Sequence, residues 1–95
     1  MKYDIAVRAS RDLREIHGYG IDTYGGRQAD AYLDELFAKF EHIARWPYAV
    51  QERRATRSVV RLYRQRAHNI LYSVENETVL ILRVFHHSVN WIDLL

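Results

Sequence analysis

Between Arg45 and Arg66 the sequence carries seven arginines, Arg45, Arg53, Arg54, Arg57, Arg61, Arg64 and Arg66, against a single acid, Glu52. Each guanidinium is a planar fork of donors that meets a carboxylate or phosphate in two parallel bonds, which the point charge of lysine cannot do. Twelve of the fourteen basic residues are arginine, so the composition favours that geometry and not charge alone. Net charge is only +2, because acids outnumber bases between Asp12 and Glu41. The second half therefore reads as a surface for an anionic partner. The same charges also fit a solvated basic face that balances acidic helices. Cysteine is absent, which removes disulfides, thiolate metal sites and cysteine nucleophiles. His17, His42 and His68 have no metal-ligand spacing, so neither a metal nor another cofactor is expected. Near the end of the chain Arg83 is followed by His86 and His87, a cation beside imidazoles that exchange protons near neutral pH.

The elements that must position these groups follow from periodicity. Ninety-five residues with a 48% hydrophobic share suit one domain over residues 1–95. No apolar run approaches the roughly 18 residues of a membrane span. The opening Met1-Lys2-Tyr3-Asp4-Ile5 places an acid where a signal peptide needs an apolar run, so a cytoplasmic protein is expected. Lys2 to Val7 alternate as a short strand. Ser10 reads as the N-cap of a first helix, with Asp12 in its first turn facing the positive end of the dipole. Gly25-Gly26 stops that helix. A second helix follows, with Ala29, Tyr32, Leu33, Leu36, Phe37, Phe40, Ile43 and Ala44 on one wide face, and Pro47 ends it.

Tyr48 to Ala55 reads as a charge-rich loop. The period then changes to two. Strands are expected over 58–63, 68–74 and 78–86, joined by turns at 64–66 and 75–77. The last is nearly all apolar, which marks a strand buried on both faces and predicts that it is the central one. Links this short require antiparallel neighbours. The fold class is α+β: an N-terminal strand, a two-helix antiparallel hairpin, then a three-stranded antiparallel meander, in one sheet with the helices on one face.

This order resembles the ParE branch of the ParE/RelE toxin superfamily, and several strings carry the resemblance. Ala9-Ser10-Arg11-Asp12-Leu13-Arg14-Glu15-Ile16 is similar to the family's first helix, and the run from Gly25 to Leu33 to the start of its second. Trp46-Pro47 sits at the family's helix stop. His68-Asn69-Ile70-Leu71-Tyr72-Ser73-Val74-Glu75 resembles its third strand, and Val79-Leu80-Ile81-Leu82-Arg83-Val84-Phe85-His86 its fourth. Each string is mostly core patterning, and their order and spacing make the match specific.

The resemblance implies the toxin of a type II toxin–antitoxin pair, neutralised by a ParD-type antitoxin and directed at DNA gyrase, without chemistry of its own. RelE-like relatives imply an alternative, ribosome-dependent cleavage of mRNA. A degenerate member that only binds its antitoxin is a third reading. RNA cleavage through the ribose 2′-hydroxyl needs a base, an acid and cations for the phosphorane charge. The candidates would be Arg61, Arg83, His86 and Glu52. Arg83 alternates with Ile81 and Phe85, so it equally suits a partly buried arginine paired with an acid. No Tyr or Lys follows His87 to complete a RelE-like site. Arg53, Arg54, Arg57, Arg61 and Arg64 are the candidate target-binding residues. Tyr24, Trp46, Tyr48 and Trp91 are the candidate antitoxin anchors, since aromatic side chains dominate binding surfaces. The same aromatics would also serve to close a small core.

Overall fold

The computed structural model describes residues 1–55 and 58–95. The chain forms β1 (Lys2–Ile5), α1 (Val7–Tyr24), α2 (Gly26–Arg45), β2 (Glu52–Ala55), β3 (Ser58–Gln65), β4 (His68–Glu75) and β5 (Thr78–His86). A short 3-10 helix, Trp91–Leu94, follows. The strands make one sheet in the order β1-β5-β4-β3-β2. β1 pairs parallel to β5, from Lys2 opposite Thr78 to Ile5 opposite Ile81. The remaining strands form an antiparallel meander. The expected strand–helix–helix–strands order and the α+β class are as the periodicity predicts.

Three details differ from that expectation. First, the segment read as a loop contains β2, so the meander has four strands. Glu52-Arg53-Arg54-Ala55 shows no apolar alternation because β2 is an edge strand, where charged side chains are at home. Second, α1 begins at Val7, not after Ser10. Ala6 leaves β1 in extended conformation, donates its N–H to the Ile81 carbonyl, and receives Ser10 N–H on its own carbonyl. Ser10 is thus inside the first turn, and Asp12 is buried instead of facing the dipole. Third, β5 is interior but second from the edge, and β4 is the middle strand.

The hairpin is antiparallel and tight. Gly25, at φ +91°, links the two helices in a conformation that L side chains rarely adopt. A Cβ on Gly20 would lie 3.1 Å from the Ala29 Cβ, so this glycine sets how closely α1 approaches α2. One core lies between the helices and the sheet: Leu13, Leu36, Phe40 and Ile43 meet Ile70, Tyr72, Val79 and Ile81. The buried Tyr72 hydroxyl donates to the Pro47 carbonyl at 2.8 Å, which fixes the exit of α2 against β4. On the other face of the sheet Trp91 and Leu94 pack on Val60, Leu71 and Phe85.

A bulge in β5 sets the position of the functional residues. Tyr72 pairs with Ile81 but Leu71 pairs with Arg83, so Leu82 is the extra residue. Ile81 and Val84 consequently both reach the helix-facing core, while Leu82 and Phe85 pack on the opposite face. Phe40 is fully buried and Phe37, one turn away, is exposed. Phe40→Ala should therefore cost about 3–5 kcal/mol of unfolding free energy, and Phe37→Ala well under about 1.5 kcal/mol. Urea denaturation of the two variants checks this, and equal losses would contradict the placement of the core.

Candidate functional site

β1 stops at Ile5, opposite Ile81, and the outer edge of β5 beyond that point has no strand partner. Asp12 on α1 covers it. Its Oδ2 accepts the Val84 N–H at 2.9 Å and Arg83 Nε at 2.8 Å, and its Oδ1 accepts Arg83 Nη2 at 2.9 Å. One carboxylate thus receives both prongs of a guanidinium and a backbone N–H that would otherwise be bare. The bond to Asp12, above all, raises the Arg83 pKa further. Arg83 is therefore the partly buried, acid-paired arginine, and its fork is committed within the fold.

Beside this pair lies a groove of about 880 Å³ between the helical hairpin and the end of β5. Ile16, Tyr19 and Gly20 of α1, Ala29 and Leu33 of α2, and Val84 of β5 line it. Tyr24, the last residue of α1, stands at its rim and is 61% exposed. The charges in its wall are largely neutralised in place: Asp12 by Arg83, and Glu35 by Arg66 at 3.0 Å. The groove is consequently apolar in character with aromatic lips.

The candidate antitoxin anchors do not share one surface. Tyr24 is at the groove. Trp46 and Tyr48, both exposed, lie past the other end of α2, which spans about 30 Å. Trp91 packs on the opposite face of the sheet, against Val60, Leu71 and Phe85. Tyr19, 67% exposed at the groove, joins Tyr24. Tyr19 follows Ile16 by three residues, a spacing that by helical periodicity alone fits a core-facing stripe and gives no sign of its exposure.

The candidate catalytic residues do not converge either. Arg61 donates to the Val50 carbonyl and to Glu52 at 3.1 Å, and its guanidinium lies 5.1 Å from the Tyr48 ring centre. Arg83 is held by Asp12, and His86 sits at the end of β5. Arg61 and Glu52 thus satisfy each other on β3 and β2, two and three strands away from Arg83. Arg53 and Arg54 are exposed on the edge strand, and Arg64 is exposed on β3. Arg57 lies outside the described residues.

The structure does gather a cluster that spacing conceals. His68 opens β4 opposite His86, the last residue of β5, and their ring centres are 6.0 Å apart. His87 lies 4.4 Å from His86. Tyr32 Oη is 2.7 Å from His68 Nδ1 and donates to the Gln65 carbonyl at 3.0 Å. Burial, and then Glu35, push the Tyr32 hydroxyl above its ordinary value, so it remains a donor at neutral pH. Hairpin arithmetic could have found the pairing: Glu75 faces Thr78, and counting back along β4 brings His68 to the end of β5. No group of three His, Cys, Asp or Glu among the described residues is placed to hold a metal ion.

Two predictions follow from these contacts. Asp12→Ala leaves a largely buried guanidinium and the Val84 N–H without partners, and should cost about 3–5 kcal/mol. Adding Arg83→Met should recover part of that loss, and a double-mutant cycle in urea measures the coupling; strict additivity would contradict the pairing. Burial, then His86 and His87, lower the His68 pKa from its ordinary value. The unfolded chain then binds more protons than the fold, so this contribution to stability is complete above the ordinary value near 6.5 and is lost as pH falls below it. The urea midpoint should drop between about pH 7.5 and about pH 5.5, and less steeply in His68→Asn, which retains a donor towards Tyr32 but does not titrate. An unchanged slope would assign the acid sensitivity to other groups.

No curated protein matches the chain significantly. A chain of the chromosomal ParDE toxin–antitoxin system from P. aeruginosa has the same fold, with a TM-score of 0.79, 16% identity, and coverage of 90% of this chain and 95% of that one. The family described as the ParE toxin of the type II toxin–antitoxin system parDE matches residues 3–91. With nearly its whole length matched, from β1 to the start of the terminal 3-10 helix, the chain belongs to the ParE toxin family.

Proposed function

We propose that the protein is a toxin that acts by binding DNA gyrase and is held inactive by a ParD-type antitoxin lodged in the groove beside Asp12 and Arg83. Family membership over residues 3–91 carries this reading. The groove suits the antitoxin role. Its apolar lining and internally neutralised charges fit the apolar face of an amphipathic helix, with Tyr19 and Tyr24 as anchors at the lips. The gyrase role rests on the exposed cations. Arg53 and Arg54 on the edge strand and Arg64 on β3 have no carboxylate partner among the described residues, and are free to meet acidic protein or DNA phosphate. Arg61 supports that surface from within, by its bonds to Val50 and Glu52. The commitment of Arg61, Arg83 and Glu52 to partners inside the fold argues against the mRNA-cleaving alternative by those residues. No helix among the described residues is long and apolar enough to cross a membrane.

The decisive experiment follows plasmid supercoiling by gyrase and mRNA ends together after induction without antitoxin. Loss of supercoiling with intact mRNA is expected; normal supercoiling with new mRNA ends would overturn the reading. Arg53→Glu with Arg54→Glu should weaken inhibition of supercoiling at least about tenfold and reduce its salt dependence. Tyr19→Ala with Tyr24→Ala should instead weaken antitoxin binding about 10–100-fold, measured by calorimetry on the purified pair, and leave gyrase inhibition intact. Swapped effects would exchange the two surfaces.

A further inference from the structure

The proton positions in the histidine cluster follow from its bonds. The Tyr32 hydroxyl has one hydrogen, which goes to the Gln65 carbonyl, so His68 Nδ1 must be the donor in the 2.7 Å contact with Tyr32. A neutral His68 then presents a bare lone pair at Nε2. His86 Nδ1 accepts the Ser88 N–H at 3.2 Å, so its own proton lies on Nε2. Arg64 uses Nε on the Arg66 carbonyl, and no carboxylate among the described residues pairs with it. The groups facing the cluster are Tyr32 and Glu35 from α2, Arg64 and Arg66 from β3 and its turn, and His86 and His87 from the end of β5. Glu35, the one acid among them, is held by both prongs of Arg66. What remains is three imidazoles and a guanidinium with no counter-charge of their own.

We propose that His68, His86, His87 and Arg64 form a binding site for a phosphate group. The donors come from two strand ends and from β3, an arrangement that suits the several oxygens of a tetrahedral phosphate better than the two of a planar carboxylate. The fixed charge of Arg64 disfavours a cation at the same place. Binding is coupled to a proton. In the free protein, burial of His68 and the closeness of the other two rings disfavour charging it. An anion over the cluster reverses that balance, and a proton taken up at His68 Nε2 turns the bare lone pair into a further donor. Arg64 is shared with the target surface proposed above, and His68 and His86 also line the antitoxin groove; the inference stands on the cluster itself, and its test uses neither target nor antitoxin.

Histidine ring C–H resonances, followed by NMR on the whole chain, test it with two probes: inorganic phosphate, and a short single-stranded DNA lacking terminal phosphates. Saturable, concerted shifts of His68, His86 and His87 are expected, with binding tightening up to about tenfold per pH unit as pH falls through the histidine range. His86→Ala with His87→Ala, both at exposed positions, should abolish the response while the rest of the spectrum is kept. Arg64→Ala should weaken it about tenfold. A response to phosphate alone identifies a free phosphate or phosphomonoester as the ligand, and a tighter response to the oligonucleotide identifies a nucleic-acid backbone. Either supports the site. No saturable shift at millimolar phosphate or oligonucleotide, or an undiminished response in the double variant, would overturn it.

Discussion

Asp12 stands where two requirements of this fold meet. β1 can follow β5 only as far as Ile81, because the chain must then leave the sheet and become α1. The edge of β5 beyond Ile81 is left without a strand, and an uncovered N–H near the core is costly. Asp12 resolves this from the first turns of α1 by taking the Val84 N–H, and the β5 bulge brings Arg83 to the same carboxylate. A buried ion pair of this kind adds little net stability over an apolar pair, but breaking it is expensive. Its effect is directional: it fixes the angle and depth at which α1 lies on the sheet, and α2 follows through the close approach at Gly20 and Ala29.

The groove follows from that placement. α1 is pinned to β5 at Asp12, and past that point Ile16, Tyr19 and Leu33 line the space between the hairpin and the end of β5. Because Asp12 and Glu35 are matched locally and Glu15 stays exposed, an apolar segment can enter with those two carboxylates already paired. The same matching divides the arginines into two classes. Arg61, Arg66 and Arg83 are bound to Glu52, Glu35 and Asp12 and hold elements together. Arg53, Arg54 and Arg64 point their charge outward. A block that reads as a uniform basic patch in sequence is in fact part scaffold and part surface.

That division explains what was legible in the sequence. Both helices and the three long strands were, because burial imposes periods of 3.6 and 2 on them, and Phe40, Ile43, Val79 and Ile81 obey those periods. β2 was not, because an edge strand facing solvent needs no apolar alternation. Asp12 misled for a related reason. An acid early in a helix ordinarily serves the dipole, and only the tertiary position of β5 gives it another partner. Arg83 apart, whose alternation with Ile81 and Phe85 suits an acid-paired arginine, the roles of single arginines were unreadable, since a fork bound by a carboxylate and a free one have the same composition and differ only in register. The candidate aromatic anchors are not brought onto one surface, because helix length separates them: Tyr24 and Trp46 are at opposite ends of α2, and Trp91 lies on the other face of the sheet.

The histidines make the same point from the opposite direction. Their spacing in sequence suggested nothing, yet the β4–β5 hairpin brings His68 and His86 together. Tyr32 is held in the core face of α2 and its hydroxyl stays protonated, so it orients the His68 ring whatever the state of the surface around it. An oriented imidazole with a bare Nε2 can take up a proton there, and beside two exposed imidazoles and Arg64 it then becomes part of a cationic surface. The fold pairs other cations internally, at Asp12, Glu35 and Glu52. Where it does not, at this strand end and along the edge strand, the exposed cations are open to a ligand or partner.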